Sequence, residues 1–199
     1  NELKRHKAIR NINAYIKSLT QYAGYLKEQK VYEYLGRRSG VRKLSNKEIS
    51  AALLENLSKK DIYPNPKKIG ELHIFLIYNM NNWESILPKS LDFFGKVSEF
   101  EFNFQGYDIS ADNWKYRRAH MNAHMLKEFH RINAKNKIDV VVGYFSGYTV
   151  DPHVLLNMSD QGVAIFNFNW DDKLWFKGGK ISGQYSGLAS IAPFVDLNL

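Results

Sequence analysis

The sequence predicts an α/β fold built on a parallel sheet, with a basic α-helical segment in front of it. Three observations carry that expectation. Short runs rich in β-branched and aromatic residues stand at 72–78, 97–104, 138–144 and 163–168. Several are apolar at nearly every position, which suits strands covered on both faces. Stretches with helical spacing lie between them, and alternating strands and helices mean right-handed βαβ units. Charge is the third observation. Residues 1–68 hold 16 Lys and Arg against 6 Asp and Glu, whereas residues 69–199 hold 12 against 14. The net charge of +8 therefore belongs to the N-terminal segment. The expected organisation is a basic helical segment with its linker at 1–69 and an α/β domain at 70–199.

A chain of 199 residues allows one large or two small domains with a real core. The absence of cysteine excludes disulfides and cysteine-based zinc sites, and fits a reducing compartment. No apolar run reaches the roughly 18 residues of a membrane-spanning helix. The first residues carry no apolar core of a signal peptide. The expected location is cytoplasmic, peripheral to a membrane if the basic helices dock there.

In residues 3–36, Ile9, Ile12, Ile16, Leu19, Tyr22 and Leu26 recur at three- and four-residue steps. They form the apolar stripe of one long helix or two shorter ones. Gly36 and Gly40 punctuate its end, with Arg37 and Arg38 at the negative end of the dipole. Ser45 and Glu48 match a capping box, and Ile49, Leu53, Leu54 and Leu57 line one face of the helix that follows. Pro64-Asn65-Pro66 is a stiff linker. The first strand is Leu72 to Tyr78, and Asn79-Met80-Asn81-Asn82-Trp83 is its loop. Ser85 to Phe94 reads as a helix, with Pro88 tolerated near its first turn. Val97 to Phe104 alternates as a second strand, and Gln105 to Asn113 is a loop. A long amphipathic helix from Trp114 to Ala134 puts Met121, Met125, Phe129 and Ile132 on one face. The third strand is Ile138 to Tyr144; Ser146-Gly147 turns it, and Pro152 opens a helix through Met158. The fourth strand is Val163 to Phe168. A glycine-rich loop and a short helix around Leu188 to Ile191 lead to a fifth strand starting at Val195. The pattern is Rossmann-like. A buried strand is an unusual end for a chain, so a further C-terminal part is expected.

The strand tips carry the candidate site. In an open α/β sheet, ligands gather beyond the carboxyl ends of the strands. The first tip offers Asn79, Asn81, Asn82 and Trp83; the third Tyr144, Ser146 and Tyr148; the fourth Asn169, Trp170, Asp171 and Asp172. In a parallel sheet these converge on one edge. Amides, hydroxyls, carboxylates and flat aromatic faces suit a sugar, because polar groups hold hydroxyls while rings cover C–H faces. One or both Asp residues could instead cap a helix, and each Trp could be a half-buried packing residue. His153, beside Asp151 where the third strand passes to its helix, is the histidine best placed for acid–base work.

Other motifs are weaker. No GxGxxG fingerprint follows the first strand, which disfavours a dinucleotide redox enzyme. The stretch Gly178 to Gly183 lacks the order of a phosphate loop and reads as a mobile loop over the sheet edge. His120, His124 and Glu128 share a helix face at metal-ligand spacing, but no HExxH base accompanies them, and incidental surface spacing is the better reading. No metal is expected.

At this point the residues resemble a family. Asn81-Asn82-Trp83 with Ser85-Ile86-Leu87-Pro88-Lys89-Ser90-Leu91, then Asp139 to Gly147, Ile165 to Lys173 and Ile191 to Leu199 look like the N-terminal half of GT-B glycosyltransferases. The group resembled is the CgeB-type, spore-maturation-like proteins and their bacterial relatives. The likeness covers about residues 70–199, and Asp171-Asp172 is its most specific piece. It implies two Rossmann-like domains facing across a cleft. The first receives a sugar or protein acceptor and the second holds a nucleotide-sugar donor; no separate cofactor is needed. On that likeness, Asp171 or Asp172 is the base or acceptor-orienting carboxylate. Asn81, Asn82, Trp83, Ser146, Gly147, His153, Asn169 and Trp170 contact substrate. The first loop departs from the family in being Asn-rich rather than Gly-rich. Without the donor-binding half, this chain is expected to have little or no transferase activity. The rival expectation is a non-catalytic Rossmann-like binding module whose basic helices dock nucleic acid, an acidic partner or an anionic membrane.

Overall fold

A computed structural model describes Ala23 and residues 45–64, 66–168, 176–181 and 183–198. The chain divides into two units, 1–45 and 46–199. Of the first, only Ala23, which is helical, and Ser45 are described, so the helices expected within 3–36 lie outside the described residues.

The second unit is an α/β fold. Its strands are β1 (Leu72–Tyr78), β2 (Gly95–Glu101), β3 (Val140–Gly143), β4 (Ala164–Asn167), β5 (Lys180–Ile181), β6 (Gln184–Tyr185) and β7 (Leu197–Asn198). Its helices are α1 (Asn46–Ser58), α2 (Leu87–Asp92), α3 (Trp114–Lys135) and α4 (Pro152–Asp160). Five strands form one sheet in the order β2-β1-β3-β4-β7, every pair parallel. Counted along the sheet alone this is 2-1-3-4-5, a common doubly wound order. The Rossmann-like expectation holds.

Alternation along β1 decides which side each residue serves. Phe75 and Ile77 join the core beneath α3 and α4, with Met121, Met125, Phe129, Val154, Leu155 and Met158. Ile74, Leu76 and Tyr78 face the other way, toward Leu53 and Leu57 of α1 and Leu87 and Leu91 of α2. The two sets are one residue apart because strand side chains point to opposite faces. Phe75 and Phe129 meet edge-on with centroids 5.7 Å apart. Fully burying such a side chain stabilises by roughly 1.5–3 kcal/mol.

Helix α1 belongs with the sheet. It begins at Asn46, immediately after Ser45, as the capping-box spacing expects. Only Leu53 and Leu57 turn inward, whereas Ile49 and Leu54 are exposed. The helix ends in a left-handed turn. Ile62 N–H bonds to Leu57 O and Asp61 N–H to Ser58 O, with Asp61 at φ 55°. This is a Schellman ending, and Ile62 packs beside Leu57 as that motif requires. Lys60 then reaches Asp196 at 2.6 Å, tying the turn to the approach to β7. The sequence groups this helix with the basic segment because it precedes the Pro64–Pro66 linker; packing groups it with the sheet.

Other differences are local. The expected helix at 85–94 is a 3-10 turn, Trp83–Ile86, followed by α2. β2 stops at Glu101 rather than at 104, because tight turns bond Gln105 N–H to Glu101 O and Gly106 N–H to Asn103 O. The glycine-rich stretch contains the antiparallel ribbon β5–β6, turning through Gly183 at φ 85°. Among the described residues, no helix is long and apolar enough to cross a membrane.

Candidate functional site at the rim between β1 and β3

Parallel pairing brings every C-terminal strand end of the large sheet to one rim. The register sets Phe100, Ile77, Gly143, Asn167 and Asn198 in a row just below it. β1 lies between β2 and β3. The chain leaving β1 passes to α2 on one face, whereas the chain leaving β3 passes to α4 on the other. The crevice between these diverging loops is the switch point, where open α/β sheets bind ligands.

The loop after β1 is held by two buried carboxylates. Glu84 accepts Asn82 N–H at 2.8 Å and Asn81 N–H at 3.3 Å. Glu101, at the end of β2, accepts Met80 N–H at 2.7 Å and Phe104 N–H at 2.6 Å. A loop leaving a strand carries N–H groups that no ladder satisfies, and charged acceptors bind such groups strongly. Asn79 donates to Asn81 Oδ1 at 2.7 Å, while its own Oδ1 is buried with no partner among the described residues. Asn82 is exposed, and its side chain does not cap the 3-10 turn. Trp83 meets Tyr144 edge-on, with centroids 5.0 Å apart and planes at 75°. Trp83 thus meets the first residue after β3 across the switch point, and Asn81 and Asn82 precede it in the same loop.

Ser146 and Gly147 follow Tyr144 in the same loop, where local bonds and close packing occupy them. Ser146 Oγ accepts Tyr148 N–H at 3.2 Å. A side chain on Gly147 would collide with Tyr185 O, Gly187 O and Ser190 Oγ, so glycine is required for the close approach to the glycine-rich segment. Gln184 of β6 donates to Gly147 O at 3.2 Å and secures that contact. Beneath the loop, Asn167 is fully buried. It accepts Phe145 N–H at 3.1 Å, donates to Phe145 O at 3.1 Å, and donates to Asn198 Oδ1 at 3.3 Å.

His153 is exposed in the first turn of α4. Its backbone N–H bonds to Asp151 Oδ1 at 3.1 Å, because Asp151 is the N-cap. The other Asp151 oxygen lies 3.5 Å from the buried Arg118 guanidinium. Burial lowers the Arg118 pKa, and the Asp151 charge opposes that shift. Asp151 is therefore engaged as cap and counter-ion, and the structure does not join it to the His153 ring as a dyad. Asn169, Trp170, Asp171 and Asp172 lie outside the described residues.

The helix-face trio also separates. His120 and His124 both contact Tyr107 Oη, each at 3.1 Å, whereas Glu128 binds Arg131 through two bonds of 2.8 and 2.7 Å. Among the described residues, no group of three or more His, Asp or Glu is placed to hold a metal ion. Beside the rim, the Tyr78 hydroxyl pKa is pushed strongly upward, first by burial and then by its bond to Glu99 at 2.6 Å.

The described rim offers amides, an indole and a phenol ring, while Glu84 and Glu101 each already hold two backbone N–H groups. Glu84, Glu101 and Asn167 are the residues that sequence reasoning missed. The one available signal was an acidic residue placed just past a strand end in a loop dense with N–H donors.

Fold and rim together define a Rossmann-like α/β protein with an Asn- and aromatic-lined switch point. Compared with known proteins, the chain matches no family model, no curated protein and no solved structure.

Proposed function

We propose that this chain is the acceptor-side domain of a GT-B-type glycosyltransferase, seating a sugar or protein acceptor at the rim between β1 and β3. The observation that supports it is the contact of Trp83 with Tyr144 at the switch point, with Asn81 and Asn82 in the same loop as Trp83. Amides that bond hydroxyls beside rings that cover C–H faces are the elements of sugar recognition. The nucleotide-sugar donor is held by a facing domain. In the reaction, the acceptor hydroxyl passes its proton to Asp171 or Asp172. Its oxygen bonds the anomeric carbon as the bond from that carbon to the nucleotide breaks. The nucleoside diphosphate leaves with the electron pair.

Saturation-transfer NMR of the 199-residue chain against a panel of sugars and glycopeptides tests the acceptor half. Saturable contacts at the Trp83 indole, lost in Trp83→Ala, are expected. Absence of saturable binding by every sugar removes the proposal. In an enzyme that includes the donor-binding half, Asp171→Asn with Asp172→Asn should lower turnover sharply, and unchanged turnover removes both residues from the site.

A second reading, a binding module with a basic docking arm, draws on the charge of residues 1–68. Its signature is salt-dependent binding to DNA or anionic vesicles. The truncation that tests it ends at residue 45, because Leu57 and Ile62 are part of the core.

A further inference from the structure

A groove lies between the turn after β2 and the outer side of α3, apart from the β1–β3 switch point. It is open to solvent and has a volume of about 530 Å³. Arg117, His120, His124 and Lys127 line it, at steps of three, four and three residues along α3. That spacing puts them on one stripe, beside the core stripe that ends in Met121, Met125 and Phe129. The opposite wall is Gly106 and Tyr107. Among the described residues no carboxylate lines the cavity.

The cluster is ordered by bonds that leave its charge available. Arg117 Nη2 donates to Gly106 O at 2.9 Å, and its guanidinium lies 5.3 Å above the Tyr107 ring centre. Among the described residues neither Arg117 nor Lys127 forms a salt bridge. Two carboxylates stand near enough to feel the cluster's charge, Asp108 that of Arg117 and Glu128 that of His124 and Lys127, but their hydrogen bonds go to other partners. Asp108 accepts the Ser110 N–H and hydroxyl at 2.8 and 2.6 Å, and Glu128 is held by Arg131. These partners hold both carboxylates below their usual pKa, so both remain charged and neither is a proton source.

The two imidazoles add a proton-dependent element. Tyr107 is 97% buried to judge from its 3% exposure, and burial raises its hydroxyl pKa, so the phenol stays neutral. One phenol proton can serve only one Nδ1. The other ring must donate its own Nδ1–H to Oη, which leaves one Nε2–H and one bare Nε2. Protonating the second ring at its bare Nε2 turns both Nε2 atoms into donors, while Oη still donates to one ring and accepts from the other. His124 also packs its ring edge-on against Phe100, 5.4 Å between centroids, which fixes its orientation. A cation is poorly served by a wall carrying Arg117 and Lys127. A compact dianion matches all four groups.

We propose that this cavity binds a phosphoryl group, either free phosphate or the phosphate of a small phosphorylated molecule, with uptake of a proton by the His120–His124 pair. It is independent of the rim site. Calorimetric titration of the chain with inorganic phosphate, and separately with glycerol phosphate, tests it at constant ionic strength. Each titration is run in two buffers of different ionisation enthalpy. Saturable binding with a heat that differs between buffers is expected, because proton uptake draws on the buffer. Tighter binding of the ester points to a phosphorylated small molecule, and tighter binding of inorganic phosphate to the free ion. His120→Asn with Lys127→Gln alters two exposed side chains, and circular dichroism confirms that the variant is folded before it is titrated. It should weaken binding about tenfold or more, as expected for lost charged hydrogen bonds. Absence of saturable heat with both ligands, or equal affinity in the double variant, overturns the proposal.

Discussion

Asn167→Ala is the sharpest test of how the rim is built. Asn167 is wholly inaccessible, at 0% exposure, and its amide bonds both the N–H and the C=O of Phe145. Phe145 is itself buried, and neither backbone group has another partner among the described residues. Alanine leaves two buried backbone groups unpaired, each costing about 1–3 kcal/mol. The bond to Asn198 Oδ1 is lost as well. The expected loss is about 3 kcal/mol or more, large against the total of about 5–15 kcal/mol typical of a domain. Urea unfolding followed by circular dichroism measures it as a lower midpoint at unchanged slope. Asn167→Asp sharpens the test. A carboxylate there still accepts Phe145 N–H but faces Phe145 O and Asn198 Oδ1 with no proton to donate. Its folded-state pKa is therefore raised above the unfolded value of about 3.9. By linkage, the variant's stability is greatest below that unfolded value and is lost as pH rises through the folded pKa. A loss under about 1 kcal/mol in the alanine variant, or an aspartate variant no weaker at neutral than at acid pH, would refute the clamp.

Two further outcomes follow from single residues. Asp61→Gly relieves a left-handed backbone held at φ 55° by a residue with a side chain, and should raise stability by about 1 kcal/mol in the same urea assay. Tyr78→Phe should flatten the alkaline loss of stability. The raised pKa of Tyr78 means its contribution is intact below the unfolded value of about 10 and falls away as pH climbs toward the folded one, so the gap between parent and variant should change only in that range.

Much of the fold was legible because it rests on local pattern. β1 spans Leu72–Tyr78, as expected, since a run of apolar, β-rich residues closed by an Asn cluster has few alternative readings. α3 was legible because Met121, Met125 and Phe129 repeat at four-residue steps. Convergence of the strand tips followed once the sheet was parallel. The ribbon β5–β6 was not legible. Its strands are two residues long, too short for periodicity, and its position depends on a close approach to Gly147 from 37 residues away in the case of Gln184. The expected boundary at 69 follows the Pro64–Pro66 linker and the change of rhythm after it, and a local break of that kind does not report packing. The compact unit begins at residue 46 because Leu53, Leu57 and Ile62 face inward.

The same division holds at the site. Asn81, Asn82 and Trp83 could be placed at a rim from their position after a strand. The roles of Glu84, Glu101 and Asn167 could not, because a buried polar side chain answers whichever backbone groups the final register leaves unpaired. Sequence alone determined the alternation of strands and helices, their inward faces and the uneven charge, since these depend on side-chain period and composition. Tertiary structure decided which helix covers the second face of the sheet, which loops touch across the switch point, and that Tyr107 gathers two histidines beside Arg117. Those outcomes depend on contacts between residues distant in the chain, and no local pattern encodes them.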